Sequence, residues 1–159
     1  MLKALIRYMK FFNPTKGALD FEKVVREISD YIEEGGENEV IVGCDSSSSS
    51  EPIFPIVIVV LKKGRGGRFF IRKTKYRARK FYSTKERIME EVFLSCKVAL
   101  ELKEKLDFKD VFYIHADIGK GGKTKDMIKE VVNFIQGNGF KARIKPESFV
   151  AYSIADRYT

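Results

Sequence analysis

The spacing of apolar residues changes several times along the chain, and each change marks an element. After Asp20 the spacing is helical, with Phe21, Val24, Val25, Ile28, Tyr31 and Ile32 on one face. Asp20 suits the N-cap of that helix, and Gly35-Gly36 ends it. Val40 to Asp45 reads VIVGCD, an apolar strand closed by an acid. Ile56 to Leu61 is continuously apolar, as expected of a central strand covered on both faces. A glycine-rich turn, KKGRGGR, leads into a third strand from Phe69 to Tyr76. Helical spacing returns from Ser83 to Leu106, where Ile88, Val92, Ser95, Ala99, Leu102 and Leu106 share a face and Ser83 with Glu86 forms an S-x-x-E cap. A strand over 111–117, a helix from Thr124 to Gln136, a short strand from Phe140 to Ile144 and a last helix opening near Pro146 complete the order.

Three strands joined by short links, followed by two strand–helix units, predict an α/β fold built on a mixed sheet with helices on both faces. Residues 1–19 read as an N-terminal arm packing onto a domain that spans 20–159, with Asn13 to Gly17 as a turn inside the arm. A chain of 159 residues suits one domain with a sizeable core. Met1 to Asn13 is too charged for a secretory signal, and no apolar run reaches the roughly 20 residues needed to span a bilayer. The cytoplasm is the expected location. Cys44 and Cys96 have no metal-ligand spacing.

Charge adds a partner. The formal net charge is +8, and ten of the nineteen residues from Lys62 to Lys80 are basic while none is acidic. A stretch without compensating acids fits a surface for the phosphate backbone of a nucleic acid, with Arg77 and Arg79 as contacts. Lys123, at a helix entry, is placed to meet a phosphate, whereas Lys120 and Lys125 face solvent.

The acids point to chemistry. Asp45 and Asp117 each close an apolar strand, the position where open α/β sheets place ligands. Adjacent parallel strands would bring the two together. On the long helix Glu90, Lys97, Glu101 and Glu104 fall on the outer side, while Glu91 falls at the edge of the apolar arc and requires a partner or a cation. Asp156 lies near a helix C-terminus, where the macrodipole disfavours an acid, so Arg157 or a bound cation must compensate it. Alternation puts His115 on the face of Asp117, where it is either a satisfied core histidine or a hydrogen-bond partner of that carboxylate. GKGGKT, which follows the strand, is not a Walker A loop: Asp117 stands where that motif needs a glycine.

The stretches IVGCDSS, RIMEEVFLS, HADIGKGGKTK and RIKPESFVAYSIADRYT resemble the YkuK-type family of predicted ribonuclease-H-like nucleases, from about Asp20 to the end. The resemblance implies a five-stranded mixed sheet of order 3-2-1-4-5. It also implies that Asp45, Glu91, Asp117 and Asp156 form the carboxylate set, with Asp45 bridging two Mg²⁺ or Mn²⁺ ions. Such a set suits phosphodiester hydrolysis in RNA or DNA by a two-metal mechanism. The other reading is a nucleic-acid-binding domain of the same fold without turnover. No oligomeric state follows from the sequence.

Overall fold

The computed structural model describes residues 9–47, 52–75, 83–106 and 112–147. Their order is β1 (Lys10–Asn13), β2 (Gly17–Asp20), α1 (Phe21–Glu33), β3 (Asn38–Cys44), β4 (Ile53–Lys62), β5 (Gly66–Lys75), α2 (Thr84–Lys105), β6 (Phe112–His115), a 3-10 turn (Lys125–Met127), α3 (Ile128–Gly137) and β7 (Lys141–Arg143). The seven strands form one sheet in the order β2-β1-β5-β4-β3-β6-β7. β3, β6 and β7 run parallel, and the other pairs are antiparallel. The sheet is mixed as expected, but it has seven strands rather than five.

The two additional strands come from the arm. Phe11 is buried and Phe12 exposed, the alternation of a strand with one covered face. The Asn13 side chain fixes the turn: its Oδ1 accepts from the Thr15 and Lys16 N–H groups, and its Nδ2 donates to Phe69 O on β5 at 2.9 Å. Through Phe12 opposite Ile71, β1 extends the sheet beyond β5.

The helix caps follow the sequence. Lys23 N donates to Asp20 Oδ1 at 2.8 Å, and Glu86 N donates to Ser83 Oγ at 3.1 Å. The three helices among the described residues pack on one face of the sheet. Val40, Val42 and Cys44 share a core with Val24 and Ile28 of α1, Val92 and Ala99 of α2, and Val131 and Ile135 of α3. Each fully buried Val or Ile there contributes about 1.5–3 kcal/mol relative to exposure. Ile41, Val57, Val59 and Ile71 point the other way into a separate cluster, which holds only strand residues among those described. Helices on both faces are therefore not found among the described residues, and the last expected helix lies mostly in 148–159, outside them.

The register fixes where the basic stretch goes. Lys62 pairs with Asn38 and Ile56 with Cys44, so the turn between β4 and β5 lies at the end of the sheet away from Asp45. Ile53 pairs with Lys75, which brings the far end of β5 to the Asp45 end. The glycine turn is therefore remote from Asp45, with the ten-residue length of β4 between them. Lys62 is not a surface charge either. It is 2% exposed, donates to Tyr31 O at 2.8 Å and Asn38 Oδ1 at 2.9 Å and also to Gly35 O, and lies over the Tyr31 ring. Gly36, at φ +82°, leaves room for its stem, since a Cβ there would sit 3.2 Å from Lys62 Cγ.

Candidate active site

Gly43 on β3 pairs directly with His115 on β6 across the parallel ladder. Two residues beyond each of them stand Asp45 and Asp117, at the carboxyl ends of neighbouring strands. The strands are about 4.8 Å apart. Both acids are half-buried.

Glu91 reaches the same place from α2. It is 3% exposed, and neither of its carboxylate oxygens accepts a hydrogen bond of ordinary geometry, the Ser46 backbone being the group that comes nearest to one. Burial pushes its pKa well above the ordinary glutamate value; the charges of Asp45 and then Asp117 push it further. The Ser46 backbone and the Arg87 guanidinium oppose the shift more weakly. Glu91 therefore feels both strand-end acids, so the three carboxylates form one electrostatic group. The Cys44 thiol reports the same field, raised by burial and then by Glu91, Asp45 and Glu90.

Two basic residues that the sequence does not single out complete the surroundings. Arg87 Nη1 donates to Ser46 O at 3.1 Å and to Ser46 Oγ at 3.0 Å, tying the first turn of α2 to the chain just after Asp45. Its signal is its position one helical turn before Glu91, on the same side. Lys145 Nζ lies 2.6 Å from Asp117 Oδ1. It follows β7 and is held by its backbone, Lys145 N donating to Ile118 O at 2.8 Å. Only the pairing of β6 with β7 brings it to Asp117, and such a pairing is invisible in a single sequence.

The remaining expected residues divide. His115 is 3% exposed and ends β6. Regular strand pairing stops there, so alternation does not carry through to Asp117. Lys123 is exposed on the loop after Asp117, as are Lys120 and Lys125. That loop closes on itself, with Gly119 N donating to Thr124 Oγ1 at 3.2 Å, and it leads into a 3-10 turn rather than directly into an α-helix. It has no phosphate-cradling Walker geometry. Glu90 and Glu101 depart from the outward placement: Glu90 is half-buried and Glu101 is 8% exposed, because α2 is covered along its flanks as well as its apolar face. Asp156, Arg77 and Arg79 lie outside the described residues.

A buried carboxylate without a hydrogen bond of ordinary geometry to either oxygen, beside two further acids, has the chemistry of a hard-cation site. Among the described residues, however, no three His, Cys, Asp or Glu side chains are grouped closely enough to hold a metal ion on their own. A cavity of about 600 Å³ opens at the opposite end of the sheet. Its acids are already matched, Glu37 by Lys63 at 3.6 Å and Glu39 by Arg143 at 3.2 Å. It offers a cation nothing comparable.

Comparison with known proteins agrees with the fold. The family model described as "Ribonuclease H-like" matches residues 23–159. The chain is 27% identical over 165 residues to the uncharacterized protein YkuK of Bacillus subtilis (strain 168), covering 94% of this chain and 96% of that one. No solved structure gives a significant match. Among the described residues no helix is long and apolar enough to cross a membrane.

Proposed function

The chain belongs to the ribonuclease H-like family, and on that premise we propose that it is a metal-dependent nuclease of the cytoplasm that hydrolyses phosphodiester bonds in RNA or DNA. The observation that carries this reading is Glu91, buried without a hydrogen bond of ordinary geometry to either oxygen and subject to the charges of Asp45 and Asp117. A fold that buries a third carboxylate beside two others, at a cost of several kcal/mol if that buried group stays charged, has a use for a cation there. The sheet neighbours β5-β4-β3-β6-β7 support reading these strands as the ribonuclease H order 3-2-1-4-5. We take residues 20–159 as that unit, with the hairpin of β1 and β2 as an addition at its β5 edge.

Asp45, Glu91 and Asp117 would hold Mg²⁺ or Mn²⁺, with Asp156 as a fourth candidate ligand. Such ions would activate water and offset the charge that develops on the leaving oxygen. The protein's own part is positioning. Arg87 fixes the Ser46 backbone and with it the approach of Asp45. The buried end of β6 fixes the chain that leads to Asp117. Arg77 and Arg79, continuing from the end of β5 nearest Asp45, would track the nucleic-acid backbone, and Lys123 would meet a phosphate beside Asp117.

A second reading, a nucleic-acid-binding domain without turnover, is favoured by the lack of a ready three-ligand cluster among the described residues. A screen of single-stranded, duplex, hybrid and branched RNA and DNA with Mg²⁺ or Mn²⁺ separates the two. Cleavage abolished by EDTA supports the nuclease; salt-sensitive binding with no cleavage in either metal supports the binding domain.

A further inference from the structure

We infer that Lys145 is the resident counter-cation of Asp117: it gives the carboxylate up to a divalent ion and then takes a backbone phosphate of the nucleic acid in the cavity beside it. This inference rests on the metal-dependent reading above. The starting observation is the 2.6 Å pair between Lys145 Nζ and Asp117 Oδ1. Asp117 belongs to a group of three carboxylates, as the raised Glu91 shows. Without a metal that group carries excess negative charge, and Lys145 offsets part of it.

The pair is built to be exchanged. The Lys145 side chain is 53% exposed and that of Asp117 26%, so the ammonium can leave through solvent while the carboxylate stays in place. An exposed ion pair of this kind is weak, and a divalent ion with several oxygen ligands competes well against it. Lysine suits the role better than arginine, being a compact charge on a flexible stem without a bidentate hold on the carboxylate. Its backbone does not move with it. Lys145 N is anchored on Ile118 O, and the chain passes so close to Gly119 that a Cβ there would sit 3.1 Å from Lys145 Cβ.

The destination is adjacent. A cavity of about 520 Å³ is lined by Gly119, Lys120 and Gly121 on one side and by Lys145 and Glu147 on the other. Two lysines, Lys120 and Lys145, and one acid, Glu147, are among its lining residues. Once a divalent ion neutralises Asp117, most of the attraction that held Lys145 is removed. The lysine is then available to a backbone phosphate that enters this cavity. Lys145 therefore links metal occupancy to substrate binding: it lowers metal affinity in the free protein and raises nucleic-acid affinity once the metal is bound.

The test uses the full chain as wild type, Lys145→Met and Lys145→Arg. Mn²⁺ affinity is measured by calorimetry without nucleic acid, and affinity for a fluorescent oligonucleotide is measured by anisotropy in EDTA and in Mn²⁺. Lys145→Met should bind Mn²⁺ roughly three- to tenfold more tightly than wild type, the scale of one partly exposed charge. It should also lose most of the gain in oligonucleotide affinity that Mn²⁺ confers, with its EDTA affinity changed little. Lys145→Arg, which keeps the charge and can hold the carboxylate bidentately, should bind Mn²⁺ no more tightly than wild type. Unchanged or weaker Mn²⁺ binding by Lys145→Met, or a Mn²⁺-induced gain that survives it, overturns the inference. Glu91→Gln separates the two levels. If Mn²⁺ binding to the wild type is absent or indifferent to Glu91→Gln, the metal reading falls and takes this inference with it. If that binding depends on Glu91 but not on Lys145, only the role of Lys145 falls.

Discussion

Gly43 and His115 face each other across the parallel strands β3 and β6, and each stands two residues before an aspartate that ends its strand's run. That single register carries Asp45 and Asp117 to the same end of the sheet. Had β6 paired with β7 alone, two similar strand ends would have had no common site. The third member, Glu91, comes from the helix laid across the same strands, and its raised pKa records their proximity.

Glu91 should be a ligand of the bound ion. In crystals soaked with Mn²⁺, anomalous density is expected within direct or water-mediated reach of its carboxylate. Glu91→Gln should weaken Mn²⁺ binding by at least about tenfold, roughly 1.4 kcal/mol, whereas Glu90→Gln should change it little. An ion held without contact to Glu91 would remove that residue from the set.

The same residue makes the metal-free protein sensitive to pH. The folded pKa of Glu91 lies above the ordinary 4.5, so the folded state holds its proton longer than the unfolded chain does. Stability should therefore fall as pH rises from the ordinary value through the raised one. In EDTA at neutral pH, Glu91→Gln should melt higher than wild type by a few degrees, corresponding to about 1–2 kcal/mol. It should also show a shallower loss of stability with pH. Identical pH profiles for the two proteins would contradict the assigned burial.

Much of this is legible in the sequence, and the omissions share a physical cause. Asp20 and Ser83 cap their helices through bonds to residues three positions on, and Glu91 follows from helical phase; these are local relations. The hairpin of β1 and β2 leaves only a faint pattern, because four-residue strands carry little alternation and are held in place by Phe69 and Ile71, more than fifty residues away. Lys62 reads as part of a solvated or phosphate-binding charge run, since nothing nearby in sequence reveals that its partners are Tyr31, Gly35 and Asn38. Lys145 is hidden for the same reason. Contacts made by a sheet between distant residues leave no period in either segment.

Lys62 supplies a stability test. Lys62→Met keeps the apolar stem but strands acceptors on Tyr31, Gly35 and Asn38 in a buried site. The expected cost is about 2–4 kcal/mol in denaturant unfolding. Lys63→Met, on the neighbouring exposed residue, should cost under about 1 kcal/mol. Equal effects would mean that Lys62 is not the internal anchor described above.

For the basic surface, Arg77→Ala with Arg79→Ala should weaken binding to all nucleic-acid sequences alike. The slope of log K against log salt should flatten by roughly 0.7–0.9 for every phosphate that is no longer neutralised. Arg65→Ala, in the turn at the far end of β4 and β5, should leave that slope unchanged. A larger effect from Arg65 would place the nucleic acid at the wrong end of the sheet for the proposed site.

The most direct test of the central claim compares the wild-type protein with Asp45→Asn for cleavage of labelled RNA and DNA in Mn²⁺, with binding measured on the same preparations. The wild type should cleave in a manner that EDTA abolishes, and Asp45→Asn should lose at least about a thousandfold, roughly 4 kcal/mol of transition-state stabilisation, with nucleic-acid affinity retained. Cleavage that persists in Asp45→Asn, or no cleavage of any substrate by a wild-type protein that binds Mn²⁺, would contradict that claim.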